Sequence, residues 1–73
     1  MSWLEDLDEQ ISKRWKIGET FRIEEVYQME AYFARRHPSN NHVRDKLRQV
    51  LQYLRDDDVL EFVDDSGTYK RLK

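Results

Sequence analysis

Apolar positions recur along this chain at two different periods. Leu4, Leu7, Ile11 and Trp15 share one stripe at helical spacing, with Trp3 beside it. Ser2 followed by Glu5 three positions later is a capping-box pattern, so residues 2–14 are predicted as a helix. Ile17-Gly18 ends it, and residues 20–22 read as a short extended piece. Ile23, Val26, Tyr27, Met29 and Phe33 then give an apolar face to a second helix over 23–36. Glu24 and Glu25 suit its positive end, Arg35 and Arg36 its negative end. His37-Pro38 stops it, because the residue before proline is pushed out of the α region.

Ser39-Asn40-Asn41 is a run of good N-cap residues and opens the third helix, predicted over 40–55. Val43, Leu47, Val50, Leu51 and Leu54 form its apolar stripe. Asn41, Asp45, Arg48, Gln49 and Gln52 lie opposite, with His42 and Arg44 on the flanks. After Asp56-Asp57-Asp58 the period falls to two: Val59, Glu61 and Val63 point one way, Leu60 and Phe62 the other. Asp64-Asp65-Ser66-Gly67 is a hairpin turn, and residues 68–72 return as a strand carrying Tyr69 and Leu72. A lone hairpin is marginal in water, so it must pack on the helices, with residues 20–22 as a candidate third strand. The predicted fold is mainly α with a small antiparallel β-hairpin, a winged helix-turn-helix of three helices plus a wing. Residues 1–73 make one domain, with 1–17 as an added N-terminal helix.

Composition removes several function classes. With no cysteine, disulfides and thiolate metal sites are excluded, and the two histidines lack zinc-binding spacing. No apolar run is long enough to span a membrane, and Glu5, Asp6, Asp8 and Glu9 occupy the place of a signal peptide. A cytoplasmic protein is expected. No serine sits beside a base and no glycine-rich phosphate loop is present. Paired carboxylates occur only in turns, so neither catalytic residues nor a cofactor or metal are expected. His37 and His42 read as helix-end histidines. The aromatic residues read mainly as core, with Trp15 the candidate for exposure.

The net charge of −2 hides an asymmetry. Residues 35–55 hold Arg35, Arg36, Arg44, Lys46, Arg48 and Arg55 against one acid, Asp45, for a local net of +5; the other 52 residues carry −7. Such a split suggests a face for a polyanion. Arginine pairs with guanine O6 and N7, and asparagine or glutamine with adenine N6 and N7. Asn40, Asn41, His42, Arg44, Arg48 and Gln49 are therefore the candidate DNA-reading residues. Arg35, Arg36 and Lys46 are candidates for phosphate contacts, which position without reading sequence. The same pattern also fits a solvated helix face with capping asparagines. The acidic wing tip disfavours a backbone contact there, although aspartate is also simply a good turn residue.

The stretch from Gly18 to Leu72 resembles the C-terminal winged-helix domain of DpnI-type, Dam-replacing restriction endonucleases, which cut adenine-methylated G-A-T-C. The matching residues are Gly18-Glu19-Thr20-Phe21, Val26-Tyr27, Pro38, Asn40, Val43-Arg44-Asp45-Lys46-Leu47-Arg48-Gln49, Leu51-Gln52, Leu54-Arg55-Asp56, Leu60-Glu61-Phe62, Gly67 and Tyr69. The resemblance implies a winged helix that binds double-stranded DNA and recognises N6-methyladenine, with Asn40, Arg44 and Arg48 as DNA contacts. In those enzymes a nuclease domain precedes this one. These 73 residues do not include it, so the expected activity is binding without chemistry, by a stand-alone reader linked to restriction-modification or transcription regulation, with a domain excised from a longer protein as the alternative. A nuclease acting in trans, another protein partner and the oligomeric state stay open. The competing expectation is a protein-interaction module, such as a phage or mobile-element inhibitor or regulator that uses its acidic surface.

Overall fold

The computed structural model describes residues 2–73. Helix α1 (Trp3–Arg14) begins at the predicted cap: Ser2 Oγ accepts the Glu5 backbone N–H at 3.1 Å. Strand β1 (Thr20–Arg22) leads into α2 (Ile23–Tyr27) and α3 (Glu30–Arg36), and then α4 (Val43–Asp56). Strands β2 (Leu60–Asp64) and β3 (Thr68–Arg71) complete the chain. The sheet is antiparallel in the order β1-β3-β2, so residues 20–22 are the third strand and β3 is central. Phe21 and Phe62 both stand opposite Tyr69. The β2–β3 register shifts between Phe62 and Asp64, which inserts Val63 as a bulge residue.

Three details depart from the sequence reading. The helix predicted over 23–36 is two helices. At Met29 the backbone N–H bonds to Val26 O, three residues back, at 3.0 Å, and this tightened turn separates α2 from α3. It lets Val26, Met29 and Phe33 all reach the core. Second, α4 starts at Val43 rather than at Asn40, with His42 as its N-cap. Asn40 Oδ1 instead accepts the His42 N–H at 2.7 Å, a local Asx turn that competes with capping. Third, Leu4 is 40% exposed. The buried arc of α1 runs through Asp6, Leu7 and Ile11 instead.

One core joins every layer. Leu47, Leu51 and Leu54 of α4 belong to the same buried cluster as Leu7 and Ile11 of α1, Phe33 of α3 and Leu60 of β2. Burying each side chain of this size contributes roughly 1.5–3 kcal/mol. Trp15 is half-buried, stacked on Phe21 with ring centres 4.2 Å apart. α4 ends in a Schellman arrangement: Val59 N–H bonds to Leu54 O and Asp58 N–H to Arg55 O. Asp58 takes the left-handed position, with φ of 60°. Gly67 has φ of 86°, and its carbonyl accepts the Ile23 N–H at 2.9 Å, which pins the wing tip to the start of α2.

Candidate nucleic-acid interface

The apolar stripe of α4 faces the core and leaves its other residues on two flanks. Arg44, Arg48 and Arg55 are spaced by one and two helical turns and share the flank toward α2 and the wing. Between them and the hairpin lies a cleft of about 310 Å³. Arg48, Gln52 and Arg55 form one wall, Ile23 and Tyr27 another, and Phe62, Tyr69 and the Asp65-Ser66-Gly67 turn close it. Burial pushes the Tyr69 phenol up, and the charges of Arg48 and Arg55 pull it partly back, so both guanidiniums act on the cleft floor. Arg48 is exposed and makes no side-chain hydrogen bond or ion pair among the described residues. Arg55 reaches Asp56 only at 3.4 Å.

Arg44 is held differently. Its Nε donates to Glu30 Oε1 at 2.8 Å, and its guanidinium carbon lies 5.2 Å from the centre of the Tyr27 ring. Lys46 stands on the opposite flank of α4, beside Trp3, Leu4 and Tyr53, and its Nζ donates to Gln49 Oε1 at 3.3 Å. Asn41 and His42 are exposed in the turn before α4, and Asn40 is half-buried there. Arg35 is exposed on α3.

Arg36 has a structural attachment that the sequence did not show. Its Nε donates to Asp6 Oδ2 at 2.7 Å. Asp6 is fully buried and also takes Tyr32 Oη and His37 Nε2, each at 3.2 Å. Burial pushes the Asp6 carboxyl up. The hydrogen bonds from Arg36 and His37, the Arg36 charge and the Tyr32 hydroxyl outweigh it and hold the carboxyl below its ordinary value. His37 is also stacked on Trp3, with ring centres 4.2 Å apart. The cluster ties α1 to the end of α3, at the turn into α4. The only sequence signal for it was an acid on the inward arc of a helix.

The wing acids are partly explained by local structure. Asp64 Oδ1 accepts the Ser66 hydroxyl at 2.8 Å and the Ser66 N–H at 2.9 Å. The Ser66 hydroxyl above all holds this carboxyl below its ordinary value. Asp64 therefore builds the turn, whereas Asp65 stands at the cleft rim.

Helices packed ahead of an exposed helix, followed by a hairpin pinned against it, define a winged helix-turn-helix domain. In helix-turn-helix proteins at large, the second helix of the motif is the one that enters the major groove. The chain matches the family described as the Dam-replacing HTH domain over residues 2–71, and it belongs to that family. At this level it is a DNA-binding helix-turn-helix domain with DNA as its partner. Among the described residues, no helix is long and apolar enough to cross a membrane.

Proposed function

We propose that this domain reads N6-methyladenine in a short G-A-T-C-like site of double-stranded DNA, by binding alone. The observation that carries the reading is the row Arg44, Arg48 and Arg55 on one flank of α4: Arg48 and Arg55 line the cleft bounded by α2 and the wing, and Arg44 continues the row beside Tyr27 of α2. In this reading α4 enters the major groove. Arg44, Arg48 and Gln49 approach base edges, with Asn40, Asn41 and His42 at the leading turn. The methyl group is met as a small apolar patch, as a thymine methyl is. Arg55, Lys46 and Arg35 serve phosphates. Arg36 contributes through its tie to Asp6, which fixes the turn before α4.

A single module of this kind buries about 600–1,000 Å² on DNA, so binding is modest and strongly salt-dependent. Arg44→Ala and Arg48→Ala should each weaken binding to the cognate duplex while the thermal midpoint stays near that of the wild type. Both side chains are exposed, and the Arg44–Glu30 pair is of the exposed kind worth about 0–1 kcal/mol. Unchanged affinity in both variants would remove the interface.

The second reading is a regulator that binds a protein or masks a nucleic-acid enzyme. It is favoured by exposed acids, Asp65 at the cleft rim on the wing and Asp56, Asp57 and Asp58 after α4. If charge reversal at Arg44 and Arg48 leaves function intact while changes at Asp57, Asp58 or Asp65 abolish it, that reading replaces the first.

A further inference from the structure

Among the cations on α4, Arg44 has the most fully built setting. The break between α2 and α3 places Tyr27, the last residue of one helix, and Glu30, the first of the next, around the same guanidinium. Glu30 takes Nε, and the ring of Tyr27 lies 5.2 Å from the guanidinium carbon. An arginine bound in this way keeps both Nη groups. Their end-on fork matches guanine O6 and N7 in the major groove. We infer that Tyr27 and Glu30 are positioning residues that hold Arg44 as a guanine reader and set the base specificity of α4. This rests on the DNA-binding reading above.

The chemistry of the trio explains why an acid belongs at a DNA-facing position. A loose arginine settles on the nearest phosphate, which carries no sequence information. The Glu30 carboxylate repels phosphates and occupies one edge of the guanidinium, so both non-specific binding and sliding of Arg44 are opposed. Glu30 thus lowers overall affinity and raises discrimination. A residue with a purely structural role would move the two together.

The experiment is a selection from a random duplex library, with and without adenine methylation, using the full 73-residue chain as wild type, Glu30→Gln, Tyr27→Leu, Tyr27→Phe and Arg44→Ala. Wild type should enrich a site containing a guanine that Arg44→Ala no longer requires. Glu30→Gln and Tyr27→Leu should flatten the preference for that same guanine by about fivefold, the low end of what one bidentate contact supplies. Tyr27→Phe, which keeps the ring, should retain it. Glu30→Gln should also bind a shuffled duplex more tightly, with the log–log salt slope steeper by roughly 0.9, as expected for one added phosphate contact. If Arg44→Ala loses the guanine but Glu30→Gln keeps it, the positioning role is wrong and DNA reading stands. If Arg44→Ala keeps every preference, Arg44 is not the reader. If wild type enriches no sequence, the DNA reading fails and this inference with it.

Discussion

Asp6→Asn keeps the shape of a fully buried side chain and removes its charge. Asp6 accepts from Arg36 and His37 on one oxygen and from Tyr32 on the other. An amide has only one acceptor oxygen: turned toward Arg36 and His37, it puts its NH2 on the Tyr32 hydroxyl, which must then accept rather than donate, and in either orientation the charge facing Arg36 is gone. Hydrogen bonds to a charged group contribute roughly 1.5–3 kcal/mol, and removing one partner of a buried pair costs about 3–5 kcal/mol. The Arg36 side chain is 38% exposed, so water reaches its guanidinium when the Asp6 charge goes, which reduces the cost. The expected loss is about 2–3 kcal/mol, or roughly 10–20 °C in thermal midpoint for a domain of this size.

The pH dependence supplies a second arm. The folded-state carboxyl titrates below its ordinary value of 3.8, so folding favours the ionised form. Its contribution is complete above the ordinary value and is lost as pH falls through the lower, folded-state value. The stability gap between wild type and Asp6→Asn, measured by urea denaturation, should narrow as pH falls below the ordinary carboxyl value of 3.8. A variant as stable as wild type, or a gap that widens in acid, would refute the electrostatic account of the cluster.

Two other changes test the backbone of the wing and of the α4 terminus. Gly67→Ala should cost about 2 kcal/mol or more in chemical denaturation. A β-carbon there would lie 2.9 Å from Ile23 Cγ2, and the left-handed φ adds its own strain; a loss below about 0.5 kcal/mol would contradict this. Asp58→Gly should stabilise by about 1 kcal/mol, because it relieves a left-handed non-glycine residue and removes an acid from the negative end of α4. A loss of stability would show that Asp58 has a local partner worth more than that strain.

Much of this architecture was legible because its signals are local. The Ser2–Glu5 cap, the stripe from Val43 to Leu54, the proline stop and the Asp-Asp-Ser-Gly turn each act within a few residues. The break at Met29 was not legible. No glycine or proline marks it, and it arises because three apolar side chains must reach one core from a short segment. The start of α4 was misplaced for a related reason: asparagine serves both N-caps and Asx turns, and here Asn40 makes the turn. The candidate site was legible as an inventory of residues on α4. Its arrangement was not, because it depends on partners distant in sequence. Glu30 holds Arg44 from fourteen residues away, and Asp6 holds Arg36 from thirty.

The proposal that matters most is the reading of methylated adenine in double-stranded DNA by α4. It is tested most directly by titrating the protein against one short G-A-T-C duplex, fully adenine-methylated or unmethylated, beside a shuffled control at a single salt concentration. Tight binding to the methylated duplex and weak binding to the other two are expected. Equal binding to all three, or binding to none, would contradict it.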